Sequence, residues 1–476
     1  MMHLVSSLVL LYAASTATAA RKTHTAFTRP IPLPQGGVSN DFHILPIPDG
    51  PIAVYRFAAE IVEILANGTV VPTPNYDAYL HHHVVGSRHS SYKSKQSTWT
   101  PMKNAERMYA GVGFGAGTES RGTPQEFQYP YAFVTSKGEN EWIANVHIIN
   151  TRRLEPDLAH RCLECPCTSS DLMGNGTVNG YELGLVCNAQ LLHEKNSACF
   201  ADTYSGGLRC CNDKELCLEP TELNATDTVS TYYMQYTFEY DDVVTGDHRP
   251  LYLAACCDAS GDLAYHGAVE YDIPVCIPDE NPGCTRTLST RQHLGRAGGA
   301  FGFGEDYDMT DDADVEVVYV VGHQHRGGLG IQLFDDATDE LLCNSFPTYG
   351  SGHVAGNESG YVIAMATCTF DPPRRMRSSA IVRVVSTYNS TVGHTGVMSL
   401  LYIALADYNA TAAVTLGGST SVDGTSNWGV GLVGVAVAIA VVVAVAIAGV
   451  AVVVYKRRAA TRAGYDKVTE ATPVTN

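Results

Sequence analysis

The chain has 476 residues, and its 31 Lys and Arg against 49 Asp and Glu give a formal net charge of −18. This acidity argues against a protein that binds nucleic acid without sequence preference, because such binding needs a cationic surface. With 45% hydrophobic and 17% charged residues, the chain is globular rather than disordered, and its length allows two or three domains.

The N-terminal residues predict a cleaved signal peptide. Residues 4–14 form an apolar run too short to cross a bilayer, and Ala17-Thr18-Ala19 follows with the small-x-small pattern that signal peptidase cuts. We therefore assign residues 1–19 to a signal peptide, with a buried N-terminal helix as the alternative.

Short β-branched and aromatic runs, bounded by Gly, Pro, Asn and Asp, follow along the chain. They lie at 52–58, 142–149, 230–240, 315–322, 361–368, 380–388 and 397–406, although 403–406 could continue as a helix by composition. Residues 278–313, with Pro, Gly and an acidic cluster, are interpreted as a long loop. The spacing predicts an all-β fold of two tandem antiparallel jelly-roll-like sandwich domains, at residues 20–242 and 243–410.

The fourteen cysteines all lie between Cys162 and Cys368, and an even number in an oxidising compartment predicts disulfides. Eight of them crowd into a Cys-rich insertion of the first domain, at 160–218. The Cys162-x-x-Cys165-x-Cys167 spacing also allows half a zinc site, and the disulfide connectivity stays open. The cysteines expected in disulfides are Cys162, Cys165, Cys167, Cys187, Cys199, Cys210, Cys211, Cys217, Cys256, Cys257, Cys276, Cys284, Cys343 and Cys368.

Six Asn-x-Ser/Thr sequons predict a glycosylated surface, with each modified asparagine in an exposed turn. The six asparagines are Asn67, Asn175, Asn224, Asn357, Asn389 and Asn409.

The C-terminal region predicts one transmembrane helix. A Thr-, Ser- and Gly-rich stalk at 411–428 precedes residues 429–454, which contain no charge, amide or hydroxyl. At ~1.5 Å per residue this segment exceeds the ~30 Å hydrocarbon core of a bilayer. Basic residues at 456–458 follow at once, and positive charge stays on the cytoplasmic side. We therefore predict a helix at 429–455, a cytoplasmic tail at 456–476, and a type I protein of the cell surface or an endomembrane.

Grouped histidines are the candidate metal ligands. His323 and His325 follow a strand-like run, and because residues i and i+2 of a strand share a face, they can bind one ion together. In the run His81-His82-His83 the same rule places the first and third residues on one face. An adjacent pair could share an ion only at a bulge or a strand end, so the choice between His82 and His83 stays open.

Five motifs in a fixed order carry a family resemblance across most of the predicted ectodomain. They are YLHHHVV at 79–85, GVGFGAGTESRG at 111–122, WIANVHIIN at 142–150, VVYVVGHQHRGGLG at 317–330 and GHTGVMSLLYIA at 393–404. The series resembles the copper type II, ascorbate-dependent monooxygenases, the family of peptidylglycine α-hydroxylating monooxygenase and dopamine β-monooxygenase. The chain is more closely similar to the plant stress up-regulated nodulin family, which shares the His-His, Gly-rich, Cys-rich and His-Gln-His stretches.

The monooxygenase resemblance implies two copper ions, ascorbate as reductant, O₂, and hydroxylation of a C–H bond in a small extracellular substrate. Carried over by motif, the ligands would be His81, His82 and His147 for one copper and His323, His325 and Met398 for the other. The same motifs imply Met398 and Tyr402 as catalytic residues.

The chain departs from the monooxygenase pattern at one substrate position. Val321 takes the place of the Arg that binds the substrate carboxylate in the peptide-hydroxylating members, which argues against a peptidyl-glycine substrate. One alternative is a non-catalytic surface or stress-response protein of the same fold, with or without copper. Another is a zinc hydrolase, although no HExxH motif supports it.

Overall fold

The computed structural model describes residues 21–408 apart from 88–112, 136, 168–170, 172–176, 179–180, 183–186, 208–209, 224–228, 244–245, 255, 262–269 and 296–311. The predicted signal peptide, stalk, transmembrane helix and tail lie outside the described residues, as do Asn175, Asn224 and Asn409. Among the residues that are described, no helix is long and apolar enough to cross a membrane.

Strands dominate the described residues, which confirms the all-β prediction. The strands of the first part of the chain are β1 (Lys22–Phe27), β2 (Ile31–Leu33), β3 (Val38–Pro46), β4 (Ile52–Ile64), β5 (Val70–Pro72), β6 (Ala78–Ser87), β7 (Gly113–Ala116), β8 (Gln125–Glu126), β9 (Tyr131–Val134), β10 (Glu141–Asn150), β11 (Thr177–Val178), β12 (Tyr181–Glu182), β13 (Ser230–Asp242) and β14 (Arg249–Pro250). Helical segments in this part are α1 (Pro156–Leu163), α2 (Ala189–His193) and single 3-10 turns at Thr118–Arg121 and Ser197–Cys199.

The later strands are given in chain order. They are β15 (Tyr252–Leu253), β16 (Tyr271–Ile273), β17 (Thr285–His293), β18 (Asp314–Gln324), β19 (Gly328–Asp335), β20 (Glu340–Ser345), β21 (Pro347–Tyr349), β22 (Val362–Met365), β23 (Thr367–Arg377), β24 (Ile381–Asn389), β25 (His394–Val397) and β26 (Ser399–Asp407).

Two sheets built from the first part of the chain pack against each other through aromatic side chains. One has the order β1-β13-β4-β9-β14 and the other the order β3-β10-β6-β7. Phe57 of β4 stacks on Phe114 of β7 with ring centroids 4.4 Å apart. Trp142 of β10 lies 4.9 Å from Phe238 of β13. These rings are buried, so the space between the two sheets is an apolar core.

The later strands form two further four-stranded sheets, with orders β15-β26-β18-β23 and β17-β24-β19-β20. A disulfide from Cys343 in β20 to Cys368 in β23 links these sheets. Phe127 lies 5.3 Å from Tyr319, ring to ring, so the core continues from the earlier sheets into the later ones. As a result, β18 is buried along nearly its whole length.

Each of the seven predicted strand segments contains a strand, and 403–406 is strand rather than helix. The prediction of a loop at 278–313 is wrong for Thr285–His293, which forms β17 at the edge of its sheet. An edge strand that pairs only with β24 needs few apolar residues, and Leu288 is the one aliphatic side chain it buries. Its polar composition therefore concealed it.

The predicted disulfides are confirmed, and no cysteine among the described residues is free. Three bridges in the Cys-rich insertion nest inside one another, and the half zinc site considered from the cysteine spacing has no free thiols to form it. The seven pairs are Cys162–Cys217, Cys165–Cys211, Cys167–Cys210, Cys187–Cys199, Cys256–Cys257, Cys276–Cys284 and Cys343–Cys368.

Candidate metal centre

A β-bulge brings the first three candidate ligands together. In the pairing of β6 with β10, His82 lies opposite His147 and Leu80 opposite Ile148, so His81 is the extra residue of the bulge. The ligand atoms of His81, His82 and His147 all lie within 4.8 Å of one another. The bulge therefore lets two consecutive histidines face one point, which a regular strand does not allow.

His83 points away from this group. Its ring lies 6.0 Å from the ring of Phe57, between the two sheets of the first part of the chain. Burial lowers the pKa of His83 to about 3, which keeps the ring neutral in that apolar setting. The geometry thus answers the question that strand periodicity left open, because the ring grouped with His81 is that of His82.

The second pair of histidines joins the same cluster. His323, at the end of β18, and His325, one residue past it, have ring centroids 5.1 Å apart. The ring of His325 lies only 4.3 Å from that of His81, which in turn lies 4.2 Å from that of His147. These five histidines, here called the histidine cluster, form one contiguous group rather than two separated ones.

The histidine cluster is buried and electrically neutral. Its five rings belong to residues no more than 6% exposed. Burial, reinforced by neighbouring imidazoles, holds the pKa values of His81, His147 and His325 well below the usual range, and burial lowers the pKa of His82 to about 4. A neutral imidazole keeps the lone pair that a metal ion requires.

Four nitrogens of the histidine cluster have no hydrogen-bond partner in the described part of the chain. They are Nε2 of His81, Nδ1 of His147, Nε2 of His323 and Nε2 of His325. A buried polar atom without a partner costs ~1–3 kcal/mol, so four together call for a ligand. Coordination of a metal ion would satisfy them, and the residues present fit such a group.

Two outer residues, not identified as site residues from the sequence, orient the rings. Nδ1 of His323 lies 2.7 Å from Oε1 of Glu119, and Nε2 of His82 lies 2.9 Å from Oδ1 of Asn145. Each contact fixes one ring nitrogen as the donor and leaves the other free for a metal ion. The signal for Glu119 was present in the motif GVGFGAGTESRG, as a carboxylate beside the glycines.

The glycines of that motif provide space. A Cβ on Gly117 would lie 2.6 Å from Cε1 of His323 and from the carbonyl oxygen of His81, and a Cβ on Gly115 would collide with the ring of Tyr402. The Gly-rich segment is therefore the surface on which β6 and β7 meet the later strands. Tyr402 is buried there, and burial raises the pKa of its phenol.

Met398 lies beside the histidine cluster through its backbone. The hydroxyl of Tyr388 accepts from the N–H of His325 at 2.9 Å and donates to the carbonyl oxygen of Met398 at 2.5 Å. Met398 is 7% exposed, yet it is not part of the apolar core clusters of the described residues. Val321, by contrast, is a core residue paired with Tyr402.

The described sequons lie away from this buried centre. Asn67 and Asn357 are exposed, and Asn389 ends β24 with partial exposure. The side-chain oxygens of all three accept from nearby backbone N–H groups, as is usual for asparagines at turns.

Comparisons with known proteins identify a family. The model of the family described as Stress up-regulated Nod 19 matches residues 19–408. No curated protein matches the sequence. Among solved structures, infectious bursal disease virus Gt strain (10% identity, 83% of this chain and 75% of that chain, TM-score 0.15) and the VP2 subviral particle of that virus (11% identity, 83% and 74%, TM-score 0.18) are too dissimilar to support an argument. Since its model covers most of the sequence, the chain belongs to the Stress up-regulated Nod 19 family.

Proposed function

We propose that the histidine cluster binds copper and that the protein is a copper-dependent oxidoreductase of the monooxygenase type. The observation that carries this proposal is the convergence of His81, His82 and His147 with His325, with unpartnered buried nitrogens turned away from their hydrogen-bonded sides. Imidazole is a good ligand for copper, and a thioether such as that of Met398 is a soft ligand that suits Cu(I).

The expected number of copper ions is two, and the proposal places both in one buried cluster. His81, His82 and His147 form one ligand group, and His323 and His325 with Met398 form the other. Because the rings of His81 and His325 are 4.3 Å apart, the groups adjoin. Changing one group should therefore also weaken binding at the other.

When bound, copper supplies one-electron redox chemistry with O₂, with ascorbate as the proposed reductant. The chain's own residues exclude bulk water by burial, hold the imidazoles neutral, and orient them through Glu119 and Asn145. Val321, an apolar side chain in the place of a carboxylate-binding Arg, favours a small extracellular substrate without a terminal carboxylate.

A non-catalytic role in the stress response is the second candidate, and burial is the observation that favours it. His81 and His147 are 0% exposed, and a C–H substrate must reach the metal. A copper-binding protein of the cell surface that carries out no hydroxylation would need no such access.

One experiment separates the candidates. The purified full chain should hold about two copper ions, and the double variant His323→Ala with His325→Ala about one, held more weakly. Ascorbate-dependent O₂ consumption above the free-copper background supports the enzyme, and copper binding without it supports the non-catalytic protein. Absence of copper binding, or equal copper content in the wild type and the double variant, would refute the copper proposal.

We further propose that the chain is a type I, single-pass membrane glycoprotein of the cell surface or an endomembrane, with two tandem jelly-roll-like sandwich domains at 20–242 and 243–410. Seven disulfides support an oxidising compartment. Glycosidase treatment should increase the gel mobility of the full chain, and an intact mass equal to that of the polypeptide alone would contradict glycosylation.

A further inference from the structure

A second group of metal-ligating side chains lies outside the histidine cluster. His160 belongs to α1, Glu164 directly follows that helix, and His394 begins β25. Their ligand atoms lie within 4.8 Å of one another. The four-residue spacing of His160 and Glu164 places both on one side of a helical turn, and the fold brings His394 to them from a distant part of the chain.

The distances in this group suit one small ion. Oε1 of Glu164 lies 2.7 Å from Nδ1 of His394 and 3.7 Å from Nε2 of His160. Ligands held ~2.0–2.1 Å from a tetrahedral zinc ion are ~3.3 Å apart, between these two values. The longer distance is beyond a hydrogen bond, and Nε2 of His160 is buried without a hydrogen-bond partner in the described residues.

The surroundings hold the three side chains in place. Oε2 of Glu164 accepts from the backbone N–H of Thr395 at 3.1 Å and from its hydroxyl at 3.3 Å, which leaves Oε1 facing the two imidazoles. The His394 ring lies against Gly327, where a Cβ would lie 2.6 Å from its Nε2. Outer contacts of this kind orient metal ligands.

We propose that His160, Glu164 and His394 bind a divalent first-row metal ion, with zinc as the natural occupant. Two imidazoles and one carboxylate are a common zinc ligand set that leaves a fourth position for water. The ion would link the end of α1, beside the Cys-rich insertion, to β25 in the later strands. This proposal does not depend on copper in the histidine cluster, because the two groups share no ligand.

The test measures zinc in the full chain after metal removal by a chelator and titration with Zn²⁺. His160→Ala should bind about one equivalent less than His193→Ala, a control in which an exposed histidine of the other short helix is removed. The double variant His323→Ala with His325→Ala should keep this equivalent. Equal zinc content in His160→Ala and His193→Ala would overturn the proposal.

A second variant guards against loss of folding. Thr395→Val keeps the three ligands and the side-chain volume but removes the hydroxyl contact to Glu164, so zinc affinity should fall by roughly 10–100-fold. Cobalt substituted for zinc should give the visible absorption of a low-symmetry site in wild type and lose it in Glu164→Gln. An unchanged cobalt spectrum in Glu164→Gln would also overturn the proposal.

Discussion

Glu119→Gln tests most directly how the fold prepares the histidine cluster. Glu119 is 1% exposed, and its Oε1 accepts from Nδ1 of His323 at 2.7 Å and from the backbone N–H of Gly117 at 2.9 Å. Glutamine keeps the size of the side chain and one carbonyl oxygen, but it removes the negative charge. The substitution therefore changes the basicity of His323 while leaving the ring in place.

The expected loss follows from these contacts. Removing an outer carboxylate from a metal-binding histidine typically costs ~10–100-fold in metal affinity, which is about 1.4–2.7 kcal/mol. A hydrogen bond to a charged group contributes ~1.5–3 kcal/mol, so the metal-free chain should also lose roughly that free energy of unfolding at pH 7.

The stability loss should depend on pH with a definite sign. Burial alone raises the pKa of Glu119, but His323 and backbone N–H groups outweigh it and hold the pKa below the usual value. A depressed carboxyl pKa stabilises the fold above the pKa of the unfolded chain, and this is lost as pH falls through the folded value. The difference between wild type and variant should thus be full at pH 7 and shrink in acid.

Competition with a chromophoric Cu(I) chelator measures the affinity, and chemical denaturation at several pH values measures the stability. Glu126→Gln is the matched control, because Glu126 is exposed on β8 and the substitution makes the same change of charge. Folded Glu119→Gln that binds copper as tightly as Glu126→Gln would refute the role of Glu119.

Three further predictions follow from the site and the disulfides. His82→Phe should remove copper from the first ligand group, whereas His83→Phe should leave copper content unchanged, as metal analysis of both variants would show; the reverse pattern would contradict the bulge geometry. Met398→Ile keeps most of the apolar volume and should cost under ~1.5 kcal/mol in denaturant unfolding, yet it should abolish ascorbate-dependent O₂ consumption. Retained activity would mean that Met398 only fills space. Replacing Cys162 and Cys217 by serine should lower the free energy of unfolding by ~2–5 kcal/mol, and an unchanged denaturation midpoint would contradict a structural role for that bridge.

Much of the fold could be predicted from local patterns. The β-branched run before His323 forms β18, and the run before His147 forms β10, because period and composition report how a strand is buried. The strand Thr285–His293 was missed, since an edge strand with one buried aliphatic residue resembles a loop in composition. The disulfide connectivity also had to come from the fold, because many pairings of fourteen cysteines are compatible with the same spacing.

The candidate site divides in the same way. The sequence by itself determined which histidines are candidates, since His81, His82, His147, His323 and His325 are identified by their motifs. Only the tertiary structure decided that a bulge turns His82 rather than His83 toward His81, and that His325 adjoins that group. Register shifts and the packing of distant strands depend on contacts summed over the whole core. The same is true of Glu119 and of the trio His160, Glu164 and His394, whose members meet across more than two hundred residues of chain.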